Sequence, residues 1–226
     1  MKRWHLRAMI EVAESPAGLG LAYAREVRWA QGFRVNVDSR LMLLGMRRML
    51  SRKILTEDEL RAAAFIIGCR LGAMDSYESF DDGLVQGRQV PLAFAYALPS
   101  MPLACVSICH ALRGVTYTVT GAGDAGIRAF TQAAALVESG AASRVVTGCW
   151  ESPSMTAGEG NTSCRLFLLV LEAVAADNAR ALDPGFRSTA MTEDEPQAAG
   201  VQDSIVSLKD FLARNQVAMP DEACHA

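Results

Sequence analysis

Apolar and polar positions follow two rhythms along the 226-residue chain, and the change falls near residue 63. Before it the pattern is helical. Ser15-Pro16 offers a capping side chain followed by proline at a first helical position, which predicts a helix entering "AGLGLAYAREVRWAQG". "FRVNVD" reads as short and extended. A second helix is predicted through "SRLMLLGMRRMLSRK", apolar on one side, with Arg40, Arg47, Arg48, Arg52 and Lys53 on a solvated basic face. Thr56 and Glu59 stand at capping-box spacing, so "EDELRA" begins a short helical turn.

From residue 63 onward strands alternate with helices. "AAAFIIGC" is a continuous apolar run of strand length, the pattern of a strand covered on both faces. "DSYESFDDG" predicts a short amphipathic helix ending at Gly83, and "VQGRQVPLAFAYALPSMP" a loop rich in proline and apolar residues. Pro99 or Pro102 starts the helix "LACVSICHAL". "GVTYTVT" is a strand by its β-branched alternation, residues 124–139 a helix closed by Gly140, and "SRVVTGC" and "CRLFLLVLEAV" two further strands. This alternation predicts a layered α/β sheet. Beyond about residue 187 apolar density falls: "STAMTEDEPQAAG" is linker-like, and "DSIVSLKDFLARN" is a weakly amphipathic helix.

Composition narrows the function classes. Half of the residues are hydrophobic and 21% charged, an ordinary globular balance. A net charge of −3 leaves no basic footprint for nucleic acid. The basic start "MKRWHLRAMIEVAESP" meets Glu11 and Glu14 before a signal-peptide core forms, and "LFLLVLEAVAA" is about half a membrane span in length. No membrane span and a cytoplasmic location are expected. The six cysteines (69, 105, 109, 149, 164 and 224) lie mostly in apolar runs and read as buried, reduced packing residues. His5, His110 and His225 are too dispersed for a metal site, and none is expected.

One stretch carries candidate chemistry. In "TVTGAGDAGIRAF", Gly121, Gly123 and Gly126 spell GxGxxG between a strand and a helix, where backbone N–H groups and the helix dipole favour an anion. Glu151 follows the next strand at roughly the interval of a ribose ligand. A nucleotide-dependent oxidoreductase is therefore one reading. Against it, Asp124 places a carboxylate where a pyrophosphate would lie, and the unit begins past mid-chain.

A wider resemblance supplies the other reading. Residues 63–153 resemble the N-terminal half of a β-ketoacyl synthase, the condensing enzyme of fatty-acid and polyketide assembly, and the likeness continues less fully through "TSCRLFLLVLEAVAADNARA". The features come in order. A strand ends in a glycine turn, and a proline-flanked segment precedes a helix ending in "LRG". There follow a "Y-x-V" strand at Tyr117–Val119, a helix of small residues, and the strand "RVVTGCWE". The resemblance implies a thiolase-like α/β half, with a mixed sheet and covering helices, over residues 1–186. A linker and helical tail would occupy 187–226.

In that family the turn after the "Y-x-V" strand carries the nucleophilic cysteine, where a helix N-terminus lowers the thiol pKa and backbone N–H groups bind an oxyanion. Here Gly123 holds that position, and a glycine cannot accept an acyl group. The family's catalytic histidines belong to its C-terminal half, so a restored Gly123→Cys thiol is expected to leave condensation absent. The resemblance thus implies a non-catalytic, chain-length-factor-like subunit, without cofactor, pairing with a full-length catalytic ketosynthase. Acyl carrier protein and acyl chain would be met through that complex, possible homes being type II polyketide, fatty-acid or aryl-polyene-type pathways. It places Tyr117, Thr118, Val119, Thr120 and Asp124 at the dimer interface, and turns Leu92, Ala93, Phe94, Tyr96 and Met101 toward the partner's acyl tunnel. A third reading is a homodimer that binds acyl carrier protein through basic residues 40–53. A half of this fold would also expose an apolar face that residues 203–214, the N-terminal helices or a partner must cover.

Overall fold

The computed structural model describes residues 3–27, 29, 35–70, 72–151, 163–174, 203–217 and 224–225. Six strands form one mixed sheet. They are β1 (Arg3–Glu14), β2 (Ala64–Cys69), β3 (Thr116–Thr120), β4 (Arg144–Glu151), β5 (Cys164–Val174) and β6 (Cys224–His225). Their order is β3-β2-β4-β5-β1-β6. β2 runs parallel to both β3 and β4, whereas β5 is antiparallel to β4 and β1. The expected α/β layering is present.

Period-two alternation builds two cores, one on each face of the sheet. One face takes Phe65 and Ile67 of β2, Val146 and Trp150 of β4, and Leu166, Leu168 and Val170 of β5. Over it lie α1 (Pro16–Glu26), α2 (Val37–Ser51), α3 (Glu57–Ala62) and α6 (Met101–His110). The opposite face takes Ile66, Val145, Cys149, Phe167, Leu169 and Leu171, under α7 (Ala125–Glu138) and α8 (Ser204–Arg214). The chain moves outward from β2 to β3 and returns past β2 to β4, so α6 and α7 land on opposite faces. Covered on both sides, β2 is buried throughout.

Several elements depart from the sequence expectations. The opening segment, to which the sequence pattern assigns no element, is the twelve-residue strand β1. Its register slips between Leu6 and Ala8. One extra residue turns a strand over, so Trp4 and Leu6 join the α7 core while Ile10 and Val12 join the α2 core. Helix α2 is buried nearly all round, and Arg48 is not part of a solvated face. It reaches Glu26 at 3.1 Å and Glu14 at 3.4 Å. Gly45 lets α2 lie close on β5, since a Cβ there would stand 2.5 Å from Leu166.

The helix expected to stop at Gly83 continues as α4 (Met74–Val85). Gly83 is there for close approach: a Cβ would lie 2.5 Å from Val90. Gly87, at φ +65°, follows the true end. The proline-rich segment beyond it is not all loop, because Pro91 opens the short helix α5 (Pro91–Tyr96). The capping box of Thr56 and Glu59, the Ser15 cap and the helices over 101–110, 125–138 and 204–214 match the sequence pattern. The linker-like residues 188–200 lie outside the described residues. Of the candidate covers for the second face, α8 is the one seated on α7 and β4. No helix among the described residues is long and apolar enough to cross a membrane.

Candidate functional site

The turn between β3 and α7 lies above β2. Gly121 N–H donates to the Cys69 carbonyl at 3.3 Å, and Ala125 N–H to Ala122 at 3.3 Å. Gly68 makes the approach possible: a Cβ on it would meet the Ala125 carbonyl oxygen at 2.4 Å. Gly123 stands half-buried in the turn, immediately before Asp124, the residue that leads into α7. The Asp124 side chain makes no capping hydrogen bond and lies 4.0 Å from Arg128.

The other two features of a nucleotide site are engaged elsewhere. A Cβ on Gly126 would stand 2.9 Å from Cys149 Sγ and 3.1 Å from the Ser204 carbonyl, so this glycine is closed over by α8. Glu151 is 2% exposed. It accepts hydrogen bonds from the Ser204 N–H at 2.9 Å and the Ser204 hydroxyl, and pairs with Arg70 at 3.4 Å. It is not free to hold a ribose, which corrects that part of the oxidoreductase reading. Sequence reasoning missed this lock; its signal was an acidic residue closing a strand that is otherwise mostly apolar.

The remaining chemistry is muted by burial. Five described cysteines carry free thiols. Desolvation pushes Cys69 and Cys164 up to about 12, holds Cys149 well above its ordinary range, and raises Cys105 and Cys109 as well. Uncharged thiols are poor nucleophiles. Cys149 lies under α8 and packs against Gly126. His110, 3.7 Å from Glu57, has its pKa lowered by burial, and His5 lies 4.0 Å from Glu172. Among the described residues no group of His, Cys, Asp and Glu could hold a metal ion.

What the sheet leaves open is an edge. β3 pairs only with β2 among the described residues, and Tyr117, Thr118 and Val119 are half-buried while Thr120 is exposed. α6 packs on β3 and α5 on α6, and α4 and α5 carry bare apolar side chains: Val85 is 81% exposed, Leu92 60% and Phe94 56%. Phe94 packs on Phe80 at 5.3 Å between ring centroids. Of the five tunnel candidates, Leu92 and Phe94 project outward, Ala93 is half-buried, and Tyr96 and Met101 pack on the α2 core. Of the basic residues, Arg47 and Lys53 are exposed, Arg40 lies 5.9 Å from the Tyr23 ring, and Arg48 is buried.

Solved structures share this architecture. A chain of the ketosynthase (ApeO) in complex with its chain length factor (ApeC) from Xenorhabdus doucetiae matches at a TM-score of 0.59 and 14% identity. That match covers 77% of this chain and 80% of the other. The ishigamide ketosynthase/chain length factor matches at 0.59 and 15% identity, over 79% of this chain and 63% of the other. A type II PKS acyl-carrier protein in complex with its ketosynthase bound to the hexaketide matches at 0.57 and 14%, over 76% and 63%. The chain therefore spans less than two thirds of the last two. Against curated protein sequences it has no match. At these identities the likeness speaks to the fold, a thiolase-like ketosynthase half. The sequence itself speaks to the family, since residues 31–163 match the model of the β-ketoacyl synthase N-terminal domain. That stretch runs from the approach to α2 to the threshold of β5, more than half of the chain, which makes this protein a member of the β-ketoacyl synthase family through its N-terminal domain.

Proposed function

We propose that this chain is a non-condensing, chain-length-factor-like subunit that pairs with a full-length catalytic ketosynthase. The observation that carries the reading is Gly123 at the turn into α7, where the family resemblance expects the acyl-accepting cysteine. The described thiols, all neutral through burial, support it. The open β3 edge with Tyr117, Thr118, Val119, Thr120 and Asp124 is the pairing surface. The apolar side chains of α4 and α5 extend that surface toward the partner's acyl tunnel, with Leu92, Ala93 and Phe94 lining it and Tyr96 and Met101 backing them from the α2 core. Two neighbours in fold are ketosynthase/chain length factor assemblies and a third is a complex with an acyl-carrier protein, which favours type II polyketide or related chain assembly, in the cytoplasm. Carrier protein and acyl chain would be met by the complex, while condensation itself falls to the partner.

Co-expression with a full-length ketosynthase tests the reading. A one-to-one complex is expected, with radiolabelled acyl thioester on the ketosynthase subunit alone. Trimming a tunnel wall makes room for further chain units, since a packed interior does not absorb an extra methylene cheaply. Phe94→Ala should therefore lengthen the product. An acyl thioester trapped on this chain, or failure to co-purify, would overturn the proposal.

A further inference from the structure

The helix that closes the second face is contributed by residues 204–214, outside the family match at 31–163. Its attachment differs from ordinary core packing. A helix begins with unpaired backbone N–H groups, and here carboxylates take three of them. Asp203 accepts from Ile205 at 2.8 Å and Val206 at 3.2 Å, and Glu151 of β4 accepts from Ser204. Asp203 is itself paired with Arg165 of β5. Both negative charges also lie at the positive end of the helix dipole. Further along, Lys209 reaches Glu11 of β1 at 2.6 Å and sits 5.2 Å from the Phe167 ring centre, while Phe211 meets Phe130 of α7 at 6.1 Å. Beneath these polar ties Ile205, Leu208 and Leu212 are fully buried.

We propose that α8 is a keyed clasp: a separable unit that closes over α7 and β4, with the buried Glu151 carboxylate as its key and Ser204 as the keyed residue. Its separability follows from how it is held. The segment 187–202 leading to it is polar and linker-like in sequence, and α8 contributes no strand to the sheet. Opening it would cost the burial of three large apolar side chains and at most the two-residue β6 pairing that follows it in the chain, while the pairings among β1 to β5 stay intact. Such units open at lower free energy than the global fold. What the clasp hides is specific: Gly126 in the first turn of α7, with Cys149 beneath it. A closed clasp keeps the Cys149 thiol and the first turn of α7 from solvent, and this holds whether or not the chain pairs with a ketosynthase.

Native-state hydrogen exchange on the full chain decides the matter. Glu151→Gln keeps the size of the side chain and removes the charge. It should speed exchange of the α8 amides at least tenfold, with the β2 and α2 amides unchanged and binding of an apolar fluorescent dye increased. Should that variant not fold, Ser204→Ala carries the same test from the helix side. Independently, a protease site inserted between residues 190 and 200 of the wild-type sequence should, once cut, let the tail fragment, α8 together with the two-residue β6, dissociate at a denaturant concentration that leaves the remainder folded. Simultaneous acceleration of α8 and β2, no acceleration in either, or a cut tail that stays until global unfolding would each overturn the clasp.

Discussion

Gly68 carries more of this fold than its size suggests. It occupies the point where the first turn of α7 crosses β2, and an added Cβ would meet backbone atoms of Ala125 and Gly126 between 2.4 and 2.8 Å. Backbone cannot rotate aside as a side chain can, so Gly68→Ala must displace the whole turn that contains Gly123. We expect a loss of about 3 kcal/mol, at the upper end of what overpacking costs. Gly20 is the internal control: it lies in α1 with nothing within 4 Å of its Cβ position, so Gly20→Ala should gain roughly 0.5–1 kcal/mol. Denaturant midpoints of the two variants, moving in opposite directions, would check both. At this scale Gly123 was readable from its neighbours in sequence, whereas the duties of Gly68, Gly83 and Gly126 were not. Each exists because a distant segment comes close, and no local pattern records such an approach.

At the scale of elements, strands with unbroken apolar runs or β-branched alternation and helices with caps were legible, as β2 to β5 and α3 illustrate. Two kinds of element were obscured. In β1 the charged residues Arg3, His5, Arg7 and Glu11 masked an alternation of Trp4, Leu6, Ile10 and Val12, and the bulge that divides these between two cores leaves no mark in composition. In α2 the basic residues suggested solvent, yet Arg48 is taken inward by Glu14 and Glu26. That arrangement has a measurable price. The carboxylates are about a quarter exposed and Arg48 about a tenth, so the pairing lies between surface and buried cases. Arg48→Ala should cost about 2 kcal/mol, between the ~0.2–1 of exposed pairs and the ~3–5 of broken buried ones. A double variant with Glu26→Gln should recover part of it. The hydrogen bond from Arg48 holds the Glu26 carboxyl below its ordinary value of 4.5. Its contribution is thus complete above that pH and is lost as pH falls through the lower folded value. Acid unfolding of Arg48→Ala should accordingly be less steep than that of the native chain.

Considered as a whole molecule, the protein is sealed on one side and open on another. The sheet faces are covered by α2 and α6 and by α7 and α8, and the β1 edge receives β6. The β3 edge receives nothing among the described residues; Val115 and Ile108 stand exposed just before β3 and on α6, which packs on it, and Leu84, Val85, Leu92 and Phe94 stand exposed on α4 and α5. An unpaired edge offers a row of N–H and C=O groups to another chain, and folded monomers seldom leave a large apolar patch uncovered beside one. Without a partner, copies of this chain should therefore associate through that side. Sedimentation velocity should show a weight-average coefficient rising with concentration. Replacing Leu92 and Phe94 together by lysine should abolish the rise at little cost to the unfolding midpoint, because neither side chain is part of a core and only the Phe80–Phe94 ring contact is lost. Co-expression with a ketosynthase should remove it too, since one surface cannot serve both contacts. A native chain that stayed monomeric at every concentration would mean that the exposed side chains do not form a pairing surface, and the heterodimer would have to be sought elsewhere on the molecule.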